Sequence, residues 1–368
     1  MNSTLVALRS VSLHVPYTVL YAVSNRRCAA SGRRILLVRH PGRALHYYDY
    51  ILSWLGREFP SLRSVCELAL LPRHLRDPQR YALAVPWLQD PVEDWSPRAY
   101  RRALELMQSC HEHHVPVINP VDVLSRAAKS AGATLIGSTG IRTPRVASIG
   151  SPERIRQVLD EIDLPALIRE DRGHGGTTFL VRSQQEIGEI PWRRFRHPIA
   201  MEFIDVQSPR DGRYRKYRYF AAGDTGVPRH LIMSRKWEVR PSDRLKDEAA
   251  RREELDYLQS PDPNHVRLQR AREMLGLDVV AFDYSYDREG QLVVWEANPF
   301  PTLNYPKSRD VQYLFPFVER SFAALFRFYL IRGGLPVPDR LEELLVVGGP
   351  ELGRGPVTRL SQWAAEAA

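Results

Sequence analysis

The clearest indication of the fold of this chain is the stretch Leu277-Asp-Val-Val-Ala-Phe-Asp283-Tyr-Ser-Tyr-Asp-Arg-Glu-Gly-Gln-Leu-Val-Val-Trp-Glu296-Ala-Asn298-Pro-Phe-Pro-Thr302. Apolar and β-branched residues stand on either side of the polar turn Asp287-Arg-Glu-Gly290, a pattern that is typical of a hairpin. We expect its first strand to run from Leu277 to Tyr284 and its second from Gln291 to Glu296.

Three oxygen-donor side chains lie at the ends of this predicted hairpin. Asp283 is late in the first strand, Glu296 closes the second, and Asn298 follows two residues on. Because side chains alternate along a strand, Glu296 and Asn298 point the same way and Asp283 can face them. Such hard donors suit Mg²⁺ that is held partly by protein and partly by substrate phosphates. Pro299 and Pro301 stop the strand at its acids, which favours a ligand-binding rim over a solvated strand edge.

Asp283, followed after a hairpin by Glu296-Ala-Asn298-Pro, resembles the metal-binding end of the ATP-grasp superfamily. Its members include glutathione synthetase, D-Ala-D-Ala ligase and the ligase that adds glutamate to a ribosomal protein. The resemblance implies an α/β (α+β) chain with the ATP-grasp fold and an N-terminal α/β lobe before it. It also implies that Asp283, Glu296 and Asn298 hold two Mg²⁺ ions that bridge the phosphates of ATP.

The composition is that of an ordinary globular chain. Its 368 residues are 43% hydrophobic and 26% charged, which suffices for two or three packed lobes. The net charge of +9 would attract nucleic acid, but the basic residues are scattered, and only five of the 52 are lysine. We therefore relate the charge to anionic substrates such as ATP and expect no specific nucleic-acid partner.

Cysteine usage and hydropathy predict where the protein works. Cys28, Cys66 and Cys110 are widely spaced and odd in number, which argues against a disulfide framework and fits a reducing cytoplasm. The best apolar run, Val311 to Ile331, is interrupted by proline and charges, and the N-terminus lacks a basic region before an apolar core. We expect a cytoplasmic protein with no membrane partner.

The first 120 residues alternate strand and helix patterns. Predicted strands are Arg34–Val38, Tyr81–Val85 and Val115–Ile118, and predicted helices are His46–Leu55 and Pro97–Glu112. This order predicts a parallel sheet with covering helices, and no Gly-x-Gly-x-x-Gly follows the first strand, so a dinucleotide site is not supported. The lobe resembles the N-terminal domain before the ATP-grasp fold, which in that family often supplies part of the acceptor pocket.

A helix is predicted from Val121 to Ala131, with Lys129 in its last turns and Gly132 as its stop signal. A lysine ahead of the turn Gly140-Ile-Arg-Thr-Pro144 resembles the ATP-grasp lysine that contacts an ATP phosphate. A solvated helix charge is the alternative interpretation of Lys129.

A glycine-rich loop, Glu170 to Thr178, separates the predicted strands Leu164–Arg169 and Phe179–Arg182. Glycines let backbone N–H groups approach phosphate, although a hairpin turn with positive φ explains them equally. The loop resembles the flexible lid of ATP-grasp enzymes, which implies nucleotide contacts from Gly173, Gly175, Gly176 and Thr177. The family ordinarily ends the preceding strand in lysine, whereas this chain has Arg169, which keeps the charge with a different geometry.

The predicted strand Ile199–Asp205 resembles the hinge of the family, where main-chain groups beside a glutamate recognise adenine. The resemblance implies this role for Glu202 and Ile204, and contact with the ribose for Asp205 or Asp211. A helix from Ser242, its candidate N-cap, to Leu258 and another from Asp262 to Leu275 complete the region before the hairpin.

Two arginines, Arg218 and Arg235, lie on the predicted strands between the hinge and these helices. They resemble the arginines that carboxylate-amine ligases turn toward phosphate or the acyl phosphate. Outward-facing strand charges are an equal alternative. Beyond the hairpin we expect an apolar helix near Phe317 to Ile331 and short helices at Asp339–Leu345 and Leu360–Ala368.

The resemblance implies an ATP- and Mg²⁺-dependent ligase that activates a carboxylate as an acyl phosphate and joins it to an amine on a small molecule or peptide. A small-molecule kinase on the same fold and a non-catalytic nucleotide-binding regulator are the alternatives, and oligomer formation stays open. The predicted divisions are residues 1–120 (N-terminal lobe), 121–200 (central lobe with the loop), 201–332 (C-terminal lobe with the metal site) and 333–368 (tail).

Overall fold

The structure is a computed structural model that describes residues 15–26, 28, 32–41, 48–71, 77–173 and 176–346. These residues form two compact units. The described residues of unit 1 fall within Met1–Val123, Ala221–Val227 and Phe300–Ala368, and those of unit 2 fall within Leu124–Phe220 and Pro228–Pro299. The four divisions expected from the sequence stay a prediction.

Unit 1 contains a three-stranded parallel sheet. Its strand order is β2-β1-β3, with β1 at Arg34–Arg39, β2 at Cys66–Leu70 and β3 at Tyr81–Pro86. These strands are almost entirely buried, as expected for a parallel sheet covered on both faces. The predicted strand Val115–Ile118 is reduced to a single parallel bridge between Val117 and Ala84.

β2 escaped prediction because it is short and carries Glu67 among its apolar residues. The Glu67 carboxylate is satisfied in the fold, where Arg34 Nη1 donates to it at 2.6 Å and the Tyr81 hydroxyl at 2.8 Å. Sequence patterns do not reveal such distant partners. The charged Glu67 therefore interrupts the apolar pattern by which a buried strand is recognised.

Unit 1 also contains several helices among its described residues. They are α1 (residues 15–25), α2 (Asp49–Glu58), α3 (Pro60–Ser64), α4 (Val92–Trp95), α5 (Pro97–Glu112), α10 (Phe315–Arg332) and α11 (Asp339–Glu343). α5 has the predicted bounds because the Ser96 hydroxyl accepts a hydrogen bond from the Ala99 N–H and Pro97 occupies the first helical position. α10 is apolar on nearly every side and is therefore buried along its length. His46 and the expected helix Leu360–Ala368 lie outside the described residues.

Unit 2 contains one antiparallel sheet and most of a second sheet. The first has the order β4-β7-β5-β6 and consists of β4 (Val146–Ser148), β5 (Ala166–Glu170), β6 (Phe179–Val181) and β7 (Pro198–Glu202). α7 (Ile155–Ile162) buries its apolar face, which includes Val158 and Leu159, against the aliphatic side chains of this sheet. These side chains form a small hydrophobic core between α7 and the strands β5 and β7.

The second sheet has the order β11-β10-β8-β9. Its strands are β8 (Tyr214–Ala222), β9 (Thr225–Ser234), β10 (Val279–Tyr286) and β11 (Leu292–Asn298). The predicted hairpin is confirmed as β10 and β11. The helices of this part are α6 (Lys129–Gly137), α8 (Glu248–Leu258) and α9 (His265–Leu275), and α9 ends as predicted at Gly276, which adopts φ +65°.

Two helix boundaries predicted from the sequence are wrong. The helix expected at Val121–Ala131 begins only at Lys129 and continues through Gly132 to Gly137. The helix expected to start at Ser242 starts at Glu248 instead. There the Asp247 carboxylate accepts a hydrogen bond from the Ala250 N–H and so supplies the N-cap. No helix among the described residues has the length and hydropathy required to cross a membrane.

Gly223 connects β8 to β9 and offers a test of the packing in unit 1. It adopts φ +59°, and an added Cβ would lie 2.4 Å from Cδ2 of Phe328 on the buried helix α10. We expect Gly223→Ala to lower the free energy of unfolding by about 2–3 kcal/mol, through backbone strain plus a steric clash. Denaturant-induced unfolding followed by circular dichroism measures this change.

Gly290→Ala is the matched control for this prediction. Gly290 has a similar φ, +78°, but a Cβ added there would have no atom within 4 Å. We expect a loss of only about 1 kcal/mol from the backbone alone. Equal losses for the two variants would show that the contact with Phe328 contributes nothing.

Candidate active site

The hairpin of β10 and β11 brings the two predicted carboxylates together. Asp283 is the register partner of Glu296, whereas Tyr284 pairs with Val294. Trp295 is therefore an extra residue on β11, which forms a β-bulge. A bulge redirects side chains locally, and both Trp295 and Glu296 line the same cavity.

This cavity lies within unit 2 and has a volume of about 560 Å³. Its lining residues are Leu167, Arg169, Gly176, Thr178, Met201, Glu202, Phe203, Ile204, Val206, Tyr214, Lys216, Trp237, Glu238, Val239, Arg240, Pro241, Ser242, Asp283, Trp295 and Glu296. The Phe203 and Trp237 rings meet edge to face with their centroids 5.6 Å apart. Aliphatic and aromatic walls of this kind suit a flat heteroaromatic ligand, with polar groups to fix its orientation.

The main-chain N–H and C=O of Ile204 are polar groups in this largely apolar wall. Within the part of the chain that the structure describes, neither its N–H nor its C=O has a hydrogen-bond partner. The nearby Glu202, which also lines the cavity, is engaged elsewhere through its side chain, since its Oε2 accepts a hydrogen bond from the Arg145 N–H at 3.0 Å. The main chain, rather than the Glu202 carboxylate, is thus available to a ligand.

Arginines hold the two carboxylates at the charged part of the site. Arg218 binds Asp283 with two hydrogen bonds, from Nε to Oδ1 at 2.5 Å and from Nη2 to Oδ2 at 2.7 Å. Arg169 Nη2 lies 3.5 Å from Glu296 Oε2. Burial disfavours the charge of Arg218, but Asp283 and Glu296 outweigh burial and raise the pKa of Arg218. The guanidinium is therefore firmly charged.

Lys129 adds a third cation to this cluster. It is the first residue of α6, which packs against β11, and its side chain is buried. Its Nζ donates to the carbonyl oxygens of Asp171 at 3.1 Å and Gly173 at 3.0 Å. Burial lowers the pKa of Lys129, Glu296 opposes that shift, and Arg169 adds to it. These influences show that Lys129 shares one electrostatic environment with Arg169 and Glu296.

The hairpin offers a divalent cation two carboxylates and one amide oxygen. Among the described residues, no three His, Cys, Asp or Glu side chains come together as a metal site. Asp283 and Glu296 supply two adjacent carboxylates, and Asn298 is buried at the end of the same strand. Oxygen donors of this kind fit Mg²⁺ chemically when phosphate oxygens and water complete the coordination.

Several residues predicted from the sequence do not line the cavity. Asp205 accepts from Arg288 at 2.6 Å, and Asp211 accepts two hydrogen bonds from Arg215 at 2.7 and 3.0 Å. The hydrogen bonds from Arg215 lower the pKa of Asp211. Arg235 lines a neighbouring cavity of about 540 Å³ instead.

The loop residues and Asn298 are placed as follows. Gly176 lines the cavity, Thr177 is exposed, Gly173 accepts a hydrogen bond from Lys129 through its carbonyl, and Gly175 lies outside the described residues. Asn298 faces Ala281 across the hairpin and is not among the cavity residues. The roles predicted for these residues stay predictions.

The sequence did not reveal several lining residues. Trp237 to Ser242 form one wall, and Lys216 and Met201 contribute from β8 and β7. The wall lies between β9 and α8, where no periodic pattern identifies a binding segment. The pairing of Arg218 with Asp283 was likewise invisible, because 65 residues separate the two in sequence.

The fold resembles solved structures at low sequence identity. A RimK domain ATP-grasp protein from Sphaerobacter thermophilus DSM 20745 is 18% identical over 81% of this chain and 99% of that chain, with a TM-score of 0.51. VanG D-Ala:D-Ser ligase from Enterococcus faecalis is 13% identical over 81% of this chain and 100% of that chain, with a TM-score of 0.49. No family model matches the sequence, and no curated protein does. The likeness to the first structure shows that this chain has the ATP-grasp fold.

The buried Lys129 predicts a pH dependence of stability. Because burial lowers its pKa, the folded protein binds this proton less tightly than the unfolded chain does. The free energy of unfolding should therefore rise with pH between the lowered pKa and the ordinary value of 10.5. Lys129→Met removes this contribution, so the stability of wild type relative to the variant should increase as pH rises through that window.

Chemical denaturation of both proteins at a series of alkaline pH values measures the effect. The control is Lys246→Met, which replaces an exposed lysine of the same unit. A stability difference between wild type and Lys129→Met that does not change with pH would contradict the prediction.

Proposed function

We propose that this protein is an ATP- and Mg²⁺-dependent ligase that activates a carboxylate as an acyl phosphate and joins it to an amine. The observation that carries the proposal is the pairing of Asp283 with Glu296 in one cavity, with Arg169, Arg218 and Lys129 around them. Acids and cations are brought together at considerable desolvation cost, which favours a functional role over a structural one. The acceptor is a small molecule or peptide.

The apolar part of the cavity is proposed to bind adenine. Met201, Trp237 and Trp295 offer surfaces for a flat ring. The unpartnered N–H and C=O of Ile204, within the described part of the chain, can donate to and accept from the edge of the base. Asp205 and Asp211 retain their proposed ribose role only if they leave their arginine partners.

The phosphates are proposed to lie at the charged part of the cavity. Lys129 and Arg169 would neutralise phosphate oxygens there, and Gly176 lets the backbone approach closely. Bound Mg²⁺, proposed as two ions held by Asp283, Glu296 and Asn298, would supply further charge neutralisation for the phosphates. Arg218, fixed by Asp283, is proposed to stabilise negative charge on the transferred group, and Arg235 is proposed to do so from the neighbouring cavity.

The proposed reaction balances without a side-chain nucleophile. A carboxylate oxygen of the substrate attacks the γ-phosphorus of ATP, and ADP leaves. The amine then attacks the acyl carbon and loses a proton to solvent, while inorganic phosphate leaves with the bonding electrons. The residues of the site need only position the reactants and hold charge, which is the usual requirement of phosphoryl transfer. Because the reaction consumes ATP, we propose that the protein works in the cytoplasm.

Glu296→Gln tests the proposal. With Mg·ATP and pooled carboxylic acids and amines, we expect wild type to release equal amounts of ADP and phosphate, and only when both an acid and an amine are present. The amide removes one anionic donor, so the variant should lose at least about a hundredfold in turnover, a typical cost for an electrostatic group of a site. A coupled ADP assay and a phosphate assay follow both products.

Glu289→Gln is the matched control, because Glu289 is exposed in the turn of the same hairpin. It should keep wild-type turnover. ADP release without free phosphate would contradict the ligase proposal and indicate a small-molecule kinase. Tight ATP binding without turnover in the presence of any pool of carboxylic acids and amines would contradict an enzymatic function and indicate a regulatory protein.

A further inference from the structure

Asp171 makes an unusual set of contacts with the first two residues of α6. Its carbonyl oxygen accepts from both the backbone N–H and the Nζ of Lys129, each at 3.1 Å. Its Oδ1 accepts from the Ser130 N–H and its Oδ2 from the Ser130 hydroxyl, each at 2.8 Å. One residue, 42 positions away in sequence from Lys129, therefore binds both the start of the helix and the buried ammonium group.

The carboxylate of Asp171 does for α6 what a local N-cap does for other helices. Ala128, which precedes the helix, makes no side-chain capping bond. The first N–H groups of a helix carry partial positive charge and need acceptors, and a carboxylate there is stabilising. Asp171 thus fixes where α6 begins and, with it, where Lys129 lies.

Asp171 is itself held by the first sheet of unit 2. Its N–H donates to the His197 carbonyl at 2.9 Å, next to the start of β7. The preceding Glu170 accepts from the N–H groups of Arg196 at 2.8 Å and His197 at 2.6 Å. Asp171 also follows Arg169 by two residues. The same short segment therefore holds Arg169 at the end of β5 and Lys129 at the start of α6.

We propose that Asp171 is a positioning residue that holds Lys129 beside Arg169, so that the two cations act together on the phosphates of a nucleotide. This inference rests on the proposed function, since it assumes that phosphates enter the site. Two like charges repel each other and would separate if their backbones were free to move. The four contacts of Asp171 prevent this, and Glu296 offsets the repulsion from one side.

A purely structural cap makes a different prediction from a positioning residue. Loss of a cap alone weakens α6 and lowers the affinity for every ligand of the cavity to a similar degree. Loss of positioning affects ligands with phosphates and spares adenosine, which has the same base and ribose but no phosphate. The ratio of ATP affinity to adenosine affinity therefore separates the two roles.

The experiment measures dissociation constants of Mg·ATP and of adenosine by titration calorimetry for wild type, Asp171→Ala and Asp171→Asn. For Asp171→Ala we expect roughly tenfold weaker ATP binding, the usual effect of losing one charge-assisted hydrogen bond, and adenosine binding within about twofold of wild type. Asp171→Asn keeps an acceptor for the Ser130 N–H and should recover most of the loss. Asp160→Ala, at an exposed position on α7, is the control and should match wild type.

Equal losses for ATP and adenosine, or no loss for either, would overturn the positioning role while leaving the proposed function intact. Wild-type protein that binds ATP no more tightly than adenosine would overturn the proposed function, and this inference with it. If Asp171→Ala does not fold, Ser130→Ala replaces it, because that change removes only the hydroxyl donor to Asp171. Thr134→Ala then serves as its control on the same helix, and the same ATP-to-adenosine ratio decides the outcome.

Discussion

The two-point ion pair between Arg218 and Asp283 is the interaction on which the candidate site depends. It links β8 to β10 at Asp283, the residue of β10 that pairs with Glu296 on β11. A buried carboxylate is costly unless it is paired and fully hydrogen-bonded, and a planar guanidinium satisfies both oxygens at once. With Asp283 held in this way, the bulge at Trp295 can turn Glu296 into the same cavity without leaving an isolated charge.

Three cations surround Asp283 and Glu296, one more than these two carboxylates balance. Arg169, Arg218 and Lys129 share the neighbourhood of Asp283 and Glu296, and burial of Lys129 lowers its pKa because this cation is poorly solvated. Cations packed close together cost stability by themselves, and a bound anion would offset that cost.

Local patterns were sufficient for much of the fold and for part of the site. The hairpin of β10 and β11, the bounds of α5 and the end of α9 at Gly276 followed from turn residues, caps and alternation, which act over a few residues. The same patterns misplaced the start of α6. Its cap comes from Asp171, which is distant in sequence, and a residue that acts at long range leaves no local signal.

Patterns between neighbours along the chain were enough to predict the hairpin of β10 and β11, several other helices and strands, and the acidic and basic residues from which a site is drawn. Which of these residues meet depends on how the strands and helices pack. The packing brought Arg218 to Asp283 and Lys129 to Asp171, turned Trp295 and Glu296 together into one cavity, and directed Asp211 to Arg215 instead. These outcomes depend on strand register and on contacts between residues far apart in the chain, which only packing of the whole unit can set.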